Sequence, residues 1–299
     1  MTRIRVGTRG SKLALIQARM VTDLLKSSGI ETEIIEVETA GDINKDAPIY
    51  EMGGTGVFVS ALNRQIVEGK IDIAVHSAKD IPTVIPEEVE IAGALRRGAV
   101  GDVLISKTPL DKLRPGSVVG TSSLRRIHEI KFFRPDLSVK SIRGNIETRV
   151  QKYMDGQYDA VMMAKAAYDR LNLKENAYTL DVRSFPPAAN QGIIAITAAS
   201  GSAHSSMLRK ISDHVALTEL FLERSVLSEL GLSCNDPVAV LARGNQPASL
   251  FVRIYSLAGR EYKDFESSVM NDEDASEFAR SLRKKIPETF GYRWKKETS

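Results

Sequence analysis

The chain has 299 residues, 42% hydrophobic and 26% charged, with a formal net charge of +3, four histidines and one cysteine. That length allows two or three domains with packed cores, and the near-neutral charge means that strong anion binding must come from a local cluster of cations. A single cysteine excludes an internal disulfide, and its lack of close pairing with histidine leaves no zinc site.

The opening MTRIRVGTRG has no apolar core of a signal peptide, and no apolar run approaches the roughly 20 residues that span a bilayer. A cytoplasmic protein is therefore expected. Residues 4–7 read as a strand and 13–25 as a helix, apolar at Leu13, Ile16, Met20 and Leu24, with Ser11 placed to cap it. A strand at 33–37, a helix at 57–67 closed by Gly69, and a strand at 71–75 follow. Strand–helix–strand repetition predicts a parallel sheet covered by helices. The pattern restarts with strands at 117–120, 139–142 and 160–164 and helices at 122–133 and 146–154, which predicts a second α/β unit. Residues 192–198 form another strand-like run that returns to the first unit. From His214 the texture changes. A helix at 215–230, strands at 238–242, 250–256 and 262–269, and a helix at 274–286 predict a smaller α+β segment.

Several short stretches carry chemistry. In VGTSSLRR, residues 119–126, a strand ends, Thr121, Ser122 and Ser123 follow, and Arg125 and Arg126 occupy the first turn of a helix. Cations there cost the helix about 0.3–1 kcal/mol each. They make sense if an anion binds at that end; a capped helix with solvated arginines is the structural alternative. SIRGNIETR, residues 141–149, repeats the logic with Arg143, the turn Gly144-Asn145, and Arg149. Arg170 and Arg9-Gly10-Ser11 add further guanidinium groups in loops or at strand ends. Ligands of doubly wound sheets bind at the carboxyl ends of strands, and arginine grips carboxylates with paired hydrogen bonds. A ligand with several carboxylates or phosphates is expected. IDIAVHSAKDIP, residues 71–82, places Ser77, Lys79 and Asp80 at another strand end. Asp80 there is either half of a solvated ion pair or an acid that moves protons and stabilises a cation. Cys234 sits in the polar turn GLSCNDPVAV, residues 231–240, where nearby cations would lower its thiol pKa.

Together these segments resemble the hydroxymethylbilane synthase (porphobilinogen deaminase) family. The resemblance runs in order through GTRGSKLAL, Thr39-Ala40-Gly41-Asp42, GGTGVF at 53–58, AVHSAKDIP, VGTSSLRR, IRGNIETR, PAANQG and Cys234-Asn235-Asp236-Pro237. It implies two doubly wound α/β domains like those of periplasmic binding proteins plus a smaller α+β domain. The expected boundaries are 1–95 with 193–210, 99–187, and 214–299. It implies a dipyrromethane primer held covalently by Cys234, and successive head-to-tail addition of four porphobilinogen molecules with loss of ammonia. Water then releases hydroxymethylbilane. Asp80 matches the family's catalytic aspartate, suited to a cationic azafulvene. Lys79, Ser77, Arg125, Arg126, Thr121, Ser122, Ser123, Arg143 and Gly144 match contacts to the primer. Arg9, Ser11, Phe58, Arg149, Arg170 and Gln191 match contacts to the substrate. The resemblance implies a typically monomeric enzyme that needs no metal, and no nucleic-acid or membrane partner is expected.

The chain departs from the family at Glu51 and Thr55, where two lysines are usual, at Leu232-Ser233, where Gly-Gly is usual, and at Thr197, where glutamate is common. The rival reading is a protein that holds a polycarboxylate without chemistry, but such a protein needs neither Cys234 nor Asp80 nor a third domain. Nucleic-acid binding through RRIHEIKFFR, residues 125–134, is opposed by its apolar face of Ile127, Ile130 and Phe133 and by the modest net charge. His76, His128, His204 and His214 are expected to be structural, and Trp294 either to pack the C-terminal helix or to be simply exposed.

Overall fold

The computed structural model describes residues 3–38 and 57–292. Thr39-Ala40-Gly41-Asp42, Glu51, Thr55, Trp294 and most of GGTGVF lie outside them. The elements in chain order are β1 (Ile4–Thr8), α1 (Lys12–Ser27), β2 (Thr32–Glu36), α2 (Val57–Val67), β3 (Ile73–Ser77), β4 (Val89–Ala94), β5 (Asp102–Ser106) and β6 (Val118–Gly120). Then come α3 (Leu124–Phe133), β7 (Ser138–Lys140), α4 (Ile146–Met154), β8 (Ala160–Ala164), α5 (Lys165–Arg170), β9 (Ala177–Thr179) and β10 (Ile194–Ala199). The last are α6 (Ala203–Ile211), α7 (His214–Leu230), β11 (Val238–Arg243), β12 (Ala248–Tyr255), β13 (Tyr262–Val269) and α8 (Asp272–Lys285). The chain divides into two compact units, Met1–Gly98 with Gly192–Leu217, and Ala99–Gln191 with Thr218–Ser299.

The first unit holds a sheet of order β2-β1-β3-β10-β4. β1 pairs in parallel with β2 and β3, whereas β10 runs antiparallel to both β3 and β4. The sheet is therefore mixed, not all parallel as expected. β10 enters from a distant part of the chain, without the strand–helix–strand crossover that forces parallel pairing. Alternate residues face opposite layers. Ile73 and Val75 join Val21, Leu25 and Ile196 in one core, while Ala74 joins Leu62, Ile66 and Ile71 in the other.

The second unit repeats the plan with order β7-β6-β8-β5-β9. β6 pairs in parallel with β7 and β8, and β5 runs antiparallel to β8 and β9. Leu104, Val119 and Met162 pack one face; Val103, Ile105, Val161 and Met163 pack the other. Every residue of β5 is buried, so it lacks the alternation by which half-buried strands are recognised. The same unit contains the antiparallel sheet β11-β12-β13, whose core includes Val240, Val252 and Ile254 packed with Leu222 and Val226 of α7 and Ala279 and Leu282 of α8. The architecture is α/β, with two doubly wound sheets and a small α+β C-terminal sheet. Among the described residues no helix is long and apolar enough to cross a membrane.

Candidate active site

In the first unit the parallel strands β1, β2 and β3 end on one edge. Arg9 and Ser11 follow β1, and Ser77 ends β3. Ser11 Oγ accepts the Ala14 N–H at 3.4 Å and so caps α1 as expected. Ser77 leads into a single 3-10 turn, Ala78–Asp80, which puts Lys79 and Asp80 at the carboxyl end of β3. The turn is fixed at its root: the Ala78 N–H donates to the Ile193 carbonyl at 3.0 Å, and the Ile81 N–H closes back on Ala78 O at 3.1 Å. Asp80 itself is exposed. Behind it, His76 is 6% exposed and its Nε2 lies 3.0 Å from Thr197 Oγ1. Burial pushes the His76 imidazole down to about 4, so it is neutral near pH 7. Phe58 stands in the first turn of α2.

The second unit presents the ends of β6, β7 and β8 in the same way. Ser122 and Gly144 are exposed, and Ser123, Arg143, Arg149 and Arg170 are partly exposed. Ser122 was expected inside the helix, but α3 starts at Leu124. Its hydroxyl instead donates to the Ile142 carbonyl at 2.7 Å and accepts the Ile142 N–H at 3.1 Å, which staples the end of β6 to that of β7. Gly144 has φ +102°, and a Cβ there would meet the Thr148 side chain at 2.7 Å. That turn lets its carbonyl accept Arg149 Nε at 2.9 Å. Desolvation lowers the Arg170 guanidinium from its usual value. Thr121 is buried, with Oγ1 accepting the Ser123 N–H at 3.3 Å.

Arg125 and Arg126, expected as contacts to a bound anion, make ion pairs inside the second unit. Both are buried, at 2% and 7% exposure. Arg126 forks onto Asp102, Nη2 to Oδ1 at 2.7 Å and Nε to Oδ2 at 3.1 Å. Arg125 reaches Asp102 Oδ2 at 2.7 Å, both Glu129 oxygens at 2.8 and 2.9 Å, and the Pro186 carbonyl at 2.6 Å. The anion they meet belongs to the protein. Burial alone would raise the Asp102 carboxyl; Arg126 and Arg125 overcome it and hold the group well below the carboxylate range. Burial pushes Glu129 up to about 7 against the pull of Arg125. Gln191, expected as a substrate contact, is fully buried. Its Nε2 donates to Val100 O, Gly101 O and Asp102 Oδ1 at 2.7, 3.1 and 2.9 Å. Asp102, Glu129 and Gln17 were not singled out in the sequence. Asp102 interrupts the apolar run after Gly101, and Gln17 is a polar residue on an apolar helical face; those breaks in pattern were the available signals.

Cys234 is exposed and not in a disulfide. Its turn is built by Leu232-Ser233, where the family's two glycines were expected. α7 ends in a Schellman motif: Gly231, at φ +65°, donates to Ser228 O at 3.0 Å, and Leu232 N–H donates to Leu227 O at 2.9 Å. Leu232 is 6% exposed and plugs the core beside Leu227 and Leu230. Asp236 then accepts from the Ser233 N–H at 2.7 Å and its hydroxyl at 2.9 Å. The thiol is thus exposed on a fastened loop.

A family model described as porphobilinogen deaminase, dipyrromethane cofactor binding domain, matches residues 4–206. The chain belongs to the porphobilinogen deaminase family. A probable porphobilinogen deaminase of Picrophilus torridus is 51% identical over 261 residues, 87% of this chain and 92% of that one. One of Thermoplasma volcanium is 42% identical over 291 residues, 97% and 98% of the two chains. A solved ancestral cationic amino acid solute binding protein is 16% identical, with a TM-score of 0.45 over 70% of this chain and 87% of that one. The porphobilinogen deaminase cofactor is a dipyrromethane, and the residues present fit such a group. An exposed thiol can carry it, and partly exposed Arg143 and Arg149, with exposed Ser122 just past β6, are groups able to donate to its carboxylates.

Proposed function

We infer that this chain is a hydroxymethylbilane synthase, joining four porphobilinogen molecules head to tail with loss of ammonia and releasing the linear tetrapyrrole of haem biosynthesis by hydrolysis. The observation that carries the reading is an exposed Cys234 held on a built turn in a chain of the porphobilinogen deaminase family. When bound through that sulfur, the dipyrromethane supplies the pyrrole terminus that is extended. Arg143, Arg149 and Arg170 of the second unit and Arg9 of the first hold substrate and product carboxylates. Arg125 and Arg126 support the β6 edge from behind through Asp102. Asp80, exposed at the end of β3, stabilises the positive charge that develops on the substrate's aminomethyl carbon as ammonia leaves. It also takes up the proton released when the new bond forms. Lys79 and Ser11 flank it as polar contacts, and Phe58 meets the pyrrole rings.

The reading includes three domains, at 1–95 with 193–210, 99–187, and 214–299, and a cytoplasmic monomer without nucleic-acid or membrane partners. Three separate sheets support the division. The test is the intact mass of the native protein beside a Cys234→Ser variant. An added mass of two linked pyrroles, present only with Cys234, is expected. An unmodified chain that stays unmodified after incubation with porphobilinogen defeats the reading.

A further inference from the structure

We propose that Gln17 is a positioning residue for the Lys79–Asp80 turn, and that it acts through the Ser77 hydroxyl. The proposal rests on the functional reading above. Gln17 is 3% exposed and shares the buried face of α1 with Ala18, Val21 and Leu25. An amide on that face costs desolvation unless its hydrogen bonds are made. Both ends of this amide are spent on one atom: Nε2 donates to Ser77 Oγ at 2.9 Å, and Ser77 Oγ donates to Gln17 Oε1 at 3.2 Å.

Ser77 stands where a hydroxyl would cap the 3-10 turn, yet it makes no such cap bond. Its hydroxyl points into the sheet-helix layer, toward Gln17. The link joins α1 to the end of β3. α1, capped by Ser11, follows the Arg9 loop of β1, and Ser77 is the last residue of β3 before Lys79 and Asp80. Ala78 N–H holds the turn to the backbone at Ile193, and the Gln17–Ser77 pair adds a side-chain restraint that sets the turn against the first helix. A reacting carboxylate displaced by an ångström can lose much of its effect on rate.

The experiment is a double-mutant cycle on the full-length, primer-loaded protein, with Gln17→Leu, Ser77→Ala and the two combined. Each single change is expected to lower kcat for hydroxymethylbilane formation roughly tenfold, with KM changing less than about twofold. The double variant should be no slower than either single, because amide and hydroxyl serve only each other. Wild-type kcat in both singles, or effects that multiply in the double, overturns the proposal. Gln17→Glu, which keeps the acceptor, replaces Gln17→Leu if the latter does not fold. The failures are distinguishable: a wild-type chain that carries no primer mass and makes no product overturns both readings. A loaded, active wild type with an indifferent Gln17 overturns only this one.

Discussion

His76 makes the protein's stability depend on pH in a definite direction. The imidazole is buried in β3 with Thr197 as its hydrogen-bond partner, and burial pushes its pKa from 6.5 down to about 4. Between those values the unfolded chain binds a proton that the folded chain does not, so acidification through this window favours unfolding. The gap is worth about 3 kcal/mol, at about 1.4 kcal/mol per pH unit. This contribution to stability is fully present above pH 6.5 and is lost progressively down to pH 4. Carboxylates also titrate toward the acid end, so the variant His76→Gln supplies the comparison. Urea unfolding is to be measured for both proteins at pH 7.5, 6, 5 and 4. Wild type should lose about 3 kcal/mol more than His76→Gln across that range. The Cε1 proton resonance of His76 should meanwhile hold its neutral position down to about pH 5. Parallel loss in the two proteins, or a resonance that titrates near 6.5, would refute the argument.

Three further outcomes follow from the site. Asp102→Asn leaves Arg125 and Arg126 buried without their shared carboxylate and should cost about 3–5 kcal/mol in denaturant unfolding; a cost under 1 kcal/mol would show that the guanidinium groups find other partners cheaply. Leu232→Ala removes the plug beneath the Cys234 turn and should cost about 2–4 kcal/mol, with Cys234 reacting faster with iodoacetamide; unchanged stability and reactivity would mean that Asp236 alone holds the turn. Asp80→Asn changes an exposed side chain, so the melting temperature should stay within a degree or two while kcat falls at least about a hundredfold. Substantial turnover by that variant would remove Asp80 from the chemistry.

Strand and helix positions were largely legible because these sheets put helices on both faces, and helical periodicity survives wherever one face is wet. α1, α2, α4 and α8 lie within a few residues of their expected spans. What failed was direction and full burial. Nothing local distinguishes β10 as antiparallel, since pairing is decided by where the chain comes from. β5 has no exposed face to reveal it. β4 was missed although its residues are mostly apolar, because Gly93 interrupts the run.

The arginine pair shows why the site was harder to read than the fold. Two cations in the first turn of a helix do signal an anion, and one is there. Whether that anion is a ligand or an internal carboxylate depends on residue 102, more than twenty positions earlier and brought close only because β5 and β6 share a sheet. Composition at a helix start therefore identifies the charge that must be met without identifying its owner. Ser77 and Ser122 repeat the lesson on a smaller scale. Each hydroxyl sits at a strand end, where ligands bind, and each also bonds within the protein, to Gln17 and to Ile142. Such groups shape a site by holding its rim in place. At the end of β3 Asp80 is exposed, and in the second unit Cys234 is exposed while Arg143 and Arg149 are partly exposed.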